Sequence, residues 1–378
     1  MRTFLALQGV IAVLTVFVAC LVAAGGACSG PHAAMKQSDS QTFVYVSLDS
    51  SESIAIYRMN PSTGSLDFLK KADLGGVAGS LAVDPTRSYL YATVRSKNSI
   101  ASFRIDPASG DLQHLGIIRA AGNPVFLMTD KTGRFLFSAY FADSKAAVYR
   151  IGPNGALQDS AVQILNTEKN AHAMRSDPSN RFAYVPCRTG ETIHQFRFDE
   201  TSGRFSPNEP DRITTPASTG PRHLAFHPRL AVAYVVNEFG NSVTACHLDG
   251  TRGTLTPFQT LSTLPPNFTA RSSGADVHLT PDGRFLYASN RGHESIAGYS
   301  VDQKSGELTG IGHFPTEKTP RSFAIDKDGR FLFAGGQGSG NIAAYRINPA
   351  DGTLTQFAVY KAGRSPAWIL MVTNKQND

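Results

Sequence analysis

Short apolar runs separated by Asp, Pro and Gly turns recur along most of the chain at a nearly constant interval. Six segments can be laid over one another: 80–112, 126–157, 173–205, 224–255, 277–308 and 323–354. Asp84, Asp130, Asp177, His227, Thr280 and Asp326 fall at one aligned position, in steps of 46, 47, 50, 53 and 46 residues. Within each unit an apolar run meets a turn of the D-x-x-G-R type, and a second run such as RFLYAS follows. A third run such as SIAGYSV then passes through a P-x-x-G-x-L turn into a fourth. Runs this short, rich in β-branched and aromatic residues and closed by turn formers, predict strands rather than helices. Four strands every roughly 40–50 residues is the period of one β-propeller blade.

The first unit, FVYVSLDSSESIAIYRMNPSTGSL at 43–66, lacks its leading strand, and PAWILMV at 366–372 supplies one at the other end of the chain. Pairing the two ends makes a composite blade and leaves no exposed seam. The expectation is an all-β, seven-bladed propeller of four-stranded antiparallel blades over 43–373, its ring closed by the C-terminal strand.

Composition agrees: 34 Gly, 21 Pro, 23 Phe and 12 Tyr favour turns and strands. The first residues differ from the rest. Arg2 precedes the apolar segment FLALQGVIAVLTVFVACLVAAGGA, so 1–28 is expected to be a signal peptide or lipoprotein leader, with Cys20 or Cys28 as the lipidated residue. Residues 29–42 then form a flexible tether. This predicts an exported protein, periplasmic or membrane-anchored, that meets a membrane only through that anchor. Cys187 and Cys246 show no metal-ligand or disulfide spacing and are expected as two separate packed thiols. A net charge of +6 serves solubility or a pocket for an anionic small molecule. Without a basic stripe interleaved with aromatics, nucleic-acid binding is excluded.

Chemistry divides between the two faces of such a disc. Strands alternate in direction within a blade, so turns between strands one and two, and three and four, share one face. Those turns are monotonous (DPSN, DKDG, NPSTG, DPASG, NPADG) and need only tight backbone geometry. His227 belongs there, with a structural role. The other face is chemically diverse. His172, Arg222, His223, Asp276, His278, Arg321 and Trp368 stand at the entries of inner strands, and Arg95, Arg188, Asn237, Glu238, Asn290, Arg291 and Gln337 at the ends of second strands. Inner strands surround the channel, so these groups are expected to converge at its mouth. Each has a plainer reading: His172 can cap a loop, and Arg222 and Glu238 can be a structural ion pair between blades. Collectively, unlike ionisable groups in one concavity point to catalysis or anion binding. Asp276 and His278 share a strand face, but no third ligand stands out, so neither a metal nor a cofactor is expected.

GPRHLAFHP, YVVNEFGNSV, QTLSTLPPNF, GADVHLTPDGRFLYASNR, FPTEKTPRSFAIDKDGRFLFAGGQ and GRSPAW resemble the bacterial propeller-type 6-phosphogluconolactonase family, over about 43–372. The resemblance, which extends to fungal carboxymuconate cyclases, implies lactone chemistry on a monomer without nucleic-acid partners. It places His172, Arg222 and Glu238 on positions proposed for the cyclase active site, with Arg291 or Arg271 as a further arginine. The implied roles are His172 or Glu238 as base, Arg222 and Arg291 on the carbonyl oxygen or an anionic substituent, and His223, Arg271, Asp276, His278, Arg321 and Gln337 as substrate-binding groups. The expected substrate is 6-phosphoglucono-1,5-lactone or a related, anionic lactone. A muconate-type cycloisomerase and a non-catalytic exported binding module are the alternatives. On this reading, replacing Arg222 by Ala lowers turnover and leaves stability nearly unchanged.

Overall fold

The computed structural model describes residues 41–374. The expected leader (1–28) lies outside the described residues, as does the expected tether except for Gln41 and Thr42. Twenty-eight strands, numbered β1 to β28 in chain order, form seven sheets of four. The first sheet runs β28 (Pro366–Thr373), β1 (Thr42–Leu48), β2 (Ser53–Met59), β3 (Leu66–Asp73), from channel to rim. The closing pair is antiparallel from Thr42 opposite Thr373 to Leu48 opposite Pro366, and the Thr42 and Thr373 hydroxyls lie 2.8 Å apart. The propeller is therefore seven-bladed and closed by its two ends.

The core is not central. It is seven apolar layers, one between each pair of neighbouring blades, where the sheets pack face to face. Val44, Val46, Phe331 and Phe333 share the layer that joins the first and last blades, and each is at most 2% exposed. Cys187 and Cys246 are buried, unpaired thiols in two of these layers.

A second device repeats between blades. The hydroxyls of Tyr45, Tyr91, Tyr184, Tyr234 and Tyr287 donate to the carbonyls of Gly110, Gly155, Gly253, Gly306 and Gly352, each in the next blade's outer turn, over 2.6–3.0 Å. Phe137 and Phe333 take the equivalent place in the other two blades. The turn glycine is obligatory: Gly253 has φ +70°, and a Cβ there would lie 2.0 Å from the Phe182 ring. On the same face Asp84 accepts amide hydrogens from Thr86, Ser88 and Tyr89. His227 copies this with Nδ1, which accepts from the amides of Arg229 and Leu230, and its Nε2 donates to the Gly283 carbonyl. Its place in the turn accounts for the imidazole.

Tyr234→Phe, which leaves the Gly306 carbonyl without its buried donor, is expected to lower stability by about 1 kcal/mol. Urea denaturation checks this.

Candidate functional site

Side chains along a strand alternate between its two faces, so two neighbouring residues do not normally point the same way. The inner strands break this rule at one end. In β16 (Pro221–Phe226), Pro221 is opposite Asn237 and His223 opposite Val236, so Arg222 is an extra residue. Arg321 in β24 (Pro320–Ile325), Val125 in β8 (Pro124–Thr129) and Ala367 in β28 are extra in the same way. Register also slips between Ala78 and Leu81 in β4 (Ala78–Val83) and between Gly274 and Val277 in β20 (Ser273–Leu279). In the fourth blade Ala171 bridges Cys187 while Arg175 pairs with Tyr184, so residues 172–174 oppose only two. A bulge re-aims side chains. Here it brings successive residues to the channel in two layers. His172, Arg222 and Arg321 form the outer one, and Phe126, His223, Asp276 and Trp368 the inner one.

Arg222, His223, Arg321 and Trp368 thus lie inside the inner strands rather than ahead of them, because those strands start at Pro221, Pro320 and Pro366.

Glu238, one residue past β17 (Val232–Asn237), joins three arginines from three blades. Arg188 Nη1 donates to Oε1 at 2.6 Å. Arg291 Nη2 lies 3.1 Å from Oε1, and Arg222 Nε 3.1 Å from Oε2, as ion pairs without hydrogen-bond alignment. Burial favours protonation of Glu238, but Arg222, Arg291 and Arg188 outweigh it and hold the carboxyl below its usual range. The Arg188 guanidinium lies 4.4 Å from the Phe141 ring centre and 4.9 Å from that of Phe239, a stacked position typical of arginine. Arg222, 1% exposed, also donates through Nη1 to the Ala275 carbonyl.

His223 Nδ1 lies 2.8 Å from Asp276 Oδ1, and its Nε2 lies 3.3 Å from Arg222 Nη1. Arg222 Nη1 is also 3.4 Å from Nδ1, so the tautomer is set by Asp276: a carboxylate can only accept, and Nδ1–H faces it. Burial, then Arg222, pushes the His223 ring down to about 3, so the pair is a neutral imidazole and a carboxylate. Burial opposes ionisation of Asp276, yet His278 and His223 hold it well below the ordinary range. Next to this pair, the His172 ring centre lies 5.1 Å from that of His223. Its Nδ1 is buried without a partner among the described residues, and burial, followed by Arg222, His223 and Arg321, pushes the ring well below its usual value. Arg321 makes no hydrogen bond or ion pair among the described residues; burial, then Arg291 and Arg95, lowers it to about 10.

The structure brings His172, Arg222, His223, Glu238, Arg291 and Arg321 together, with Asp276 behind them. It does not bring in the other three candidates. Arg271 is exposed on the loop before β20, and Arg291 instead reaches Glu238. Gln337 lines a separate hollow with Ser50, Arg364 and Ser365. His278, two residues beyond Asp276, lines the opposite end of the channel. Sequence reading placed Arg188 at the channel mouth without a specific role and did not single out Phe126, Phe141 or Phe239. Phe126 was recoverable, since it aligns with His223 and Trp368 four residues before the repeat's marker position. Among the described residues, no group of three or more His, Cys, Asp or Glu is placed to hold a metal ion.

A closed propeller with a basic, histidine-bearing cluster gathered where its inner strands begin is the class of fold and site that the chain presents. The family described as lactonase, seven-bladed β-propeller, matches residues 22–128 and 45–371. The chain belongs to that family. It is 36% identical over 208 residues to the 6-phosphogluconolactonases of Pectobacterium carotovorum and Serratia proteamaculans; in each case the match covers 55% of this chain and 62% of the relative. The chain thus spans about three-fifths of the length of these curated relatives. Among solved structures, a Bacteroides fragilis protein provisionally assigned as a 6-phosphogluconolactonase superposes with a TM-score of 0.81 at 25% identity, covering 89% of this chain and 99% of that one. The periplasmic gluconolactonase of Pseudomonas aeruginosa gives 0.81 at 24%, covering 89% and 100%.

Two outcomes follow from burial. Arg222→Ala is expected to destabilise the protein by about 1–3 kcal/mol, because it empties a fully packed position and leaves the buried Ala275 carbonyl without its donor, while Glu238 keeps Arg188 and Arg291. This corrects the expectation of unchanged stability, and urea denaturation measures it. His172 and His223 are neutral in the fold at pH values where an unfolded imidazole takes a proton. Their contribution is therefore complete above about pH 6.5 and is lost as pH falls below it. Glu238 and Asp276, both lowered, add a loss of the same sign further down. Unfolding free energy should fall steadily from pH 7 to pH 4.

Proposed function

We propose that the chain is a lactone hydrolase whose substrate is a sugar 1,5-lactone, 6-phosphoglucono-1,5-lactone or an unphosphorylated relative. The observation that carries this is one contrast: the His172 ring is neutral and its Nδ1 has no partner among the described residues, while Glu238 is ion-paired with three arginines. Both groups are shifted down, so basicity does not choose between them; the Glu238 carboxylate is closed in by three guanidinium groups, whereas the neutral His172 ring is held by no side chain and is the one left to receive a proton. Names of relatives support the same class: 6-phosphogluconolactonase for the curated ones and gluconolactonase for the P. aeruginosa structure.

His172 takes a proton from water as the water oxygen bonds to the lactone carbonyl carbon, and the carbonyl electrons move onto oxygen. Arg321, without a partner of its own, and Arg291 face that developing charge. The tetrahedral species then breaks its ring C–O bond, and the imidazolium returns the proton to the departing oxygen. Glu238 positions Arg188, Arg222 and Arg291, and Asp276 fixes the His223 tautomer with Nδ1–H toward its carboxylate. A phosphate on the substrate would meet the same arginine fork geometry. Export, expected from residues 1–28, agrees with the compartment named for the P. aeruginosa enzyme and would favour the unphosphorylated lactone.

The test is acid release in a pH-stat from 6-phosphoglucono-1,5-lactone, glucono-1,5-lactone and a muconolactone. Wild-type turnover of at least one gluconolactone is expected. His172→Ala should lose about 10²–10⁴-fold in kcat. Arg321→Met should lose about 10²-fold in kcat/KM without loss of stability. No acid release above the spontaneous rate from any of the three, or unimpaired turnover in His172→Ala, contradicts the proposal.

A further inference from the structure

The channel has a second chamber, at the end opposite the arginine cluster. It encloses about 500 Å³, and none of His172, Arg222, Glu238, Arg291 or Arg321 lines it. Phe126 and Trp368 line it, while His223, packed against both, does not. The three rings stand 5.5–5.8 Å apart, centre to centre, and partition the channel.

Register identifies what is unusual about this chamber. Seven inner-strand residues are equivalent, because each sits opposite the same Tyr or Phe position of its second strand. Five are Ala82, Met128, Ala225, Ala324 and Leu370. The other two are Arg175 and His278, which pair with Tyr184 and Tyr287. A ring of small and aliphatic residues is thus interrupted by two cationic or ionisable ones, in the fourth and sixth blades. Arg175 is the more telling. It has no hydrogen bond or ion pair among the described residues, its Nε is buried without an acceptor, and its guanidinium carbon lies 5.8 Å from the Phe126 ring centre. Its closest carboxylate influence, Asp276, is already committed to His223 and His278. The two carboxylates in the chamber wall, Asp84 and Asp130, accept from the amides of their own turns. Lys131 adds another positive charge at the rim.

Arg175 is half-buried, its Nε has no acceptor, and its fork lines the chamber, where it matches a carboxylate in shape. The remaining walls, with Met128, Ile325, Leu370 and Trp368, suit an apolar body. We propose that this chamber binds a small carboxylate with an apolar body, its carboxylate paired with Arg175 and its body against Phe126 and Trp368. The site is separate from the lactone site, and the inference does not depend on the reaction proposed there.

Trp368 is the only tryptophan of the chain, so intrinsic fluorescence reports on this chamber directly. The full-length protein is titrated with cyclohexanecarboxylate, with cyclohexylmethanol as the neutral counterpart and inorganic phosphate as a plain anion. A saturable change in Trp368 emission with the carboxylate is expected, with affinity at least about tenfold weaker for the alcohol, since a charge-assisted pair is worth that much. Phosphate should bind more weakly than the carboxylate. Arg175→Met should weaken carboxylate binding by about tenfold or more, whereas His172→Ala should leave it unchanged. The wild-type comparison stands whether or not the variants fold. No saturable change, equal binding of alcohol and carboxylate, tighter binding of phosphate, or loss in His172→Ala but not in Arg175→Met would each overturn the proposal.

Discussion

One extra residue per inner strand is the constraint on which the site depends. Without it, His172, Arg222 and Arg321 would alternate away from their neighbours, and either they or His223 and Asp276 would face the blade interiors. Those interiors are apolar layers, where an unpaired arginine is not tolerated. With the bulge, two consecutive positions turn to the channel, and the strands that close the ring also carry its polar groups. The same feature recurs where nothing chemical is required, at Val125 and Ala367, so it belongs to the fold rather than to any one residue. Chemistry was placed on three of the available bulges.

Glu238 offsets part of the positive charge gathered here. Three guanidinium groups from separate blades would repel one another; a single buried carboxylate within about 3 Å of each turns them into a network. The consequence reaches His172. Near Arg222 and Arg321 and removed from water, its ring is favoured in the neutral form, with Nδ1 left unpartnered among the described residues. The positive charge of the cluster and the neutrality of His172 therefore have one origin.

Much of the fold was legible in the chain because propeller blades are short-range objects. The Asp-Gly turns, the P-x-x-G-x-L corners and the missing first strand each read locally, and the structure reproduces the seven-blade count and the closure. The residues of the cluster were legible as well: His172, Arg222, His223, Glu238, Arg291 and Arg321 stood out because one face diverges while the other repeats. The bulge was not, since an offset of one residue has meaning only against a partner strand. That is why Asp276 and His278, two apart and apparently equivalent, end at different depths, with His278 in the opposite chamber. Arg271 and Gln337 sit on loops and strand ends whose direction around the rim is set by backbone geometry, not by residue type. Arg188 lay in plain view at a strand end, but its role depends on Phe141 and Phe239, which come from other blades.

The central claim is that His172 is a neutral base in the fold, kept so by burial and by its arginines. NMR titration of the His172 ring, assigned by its disappearance in His172→Gln, measures this directly when set beside the pH profile of kcat/KM for lactone hydrolysis. The account predicts a midpoint below about 6.5, the ordinary imidazole value, coinciding with the acid limb of the profile. A midpoint at or above that value, or an acid limb that does not follow His172, would contradict it.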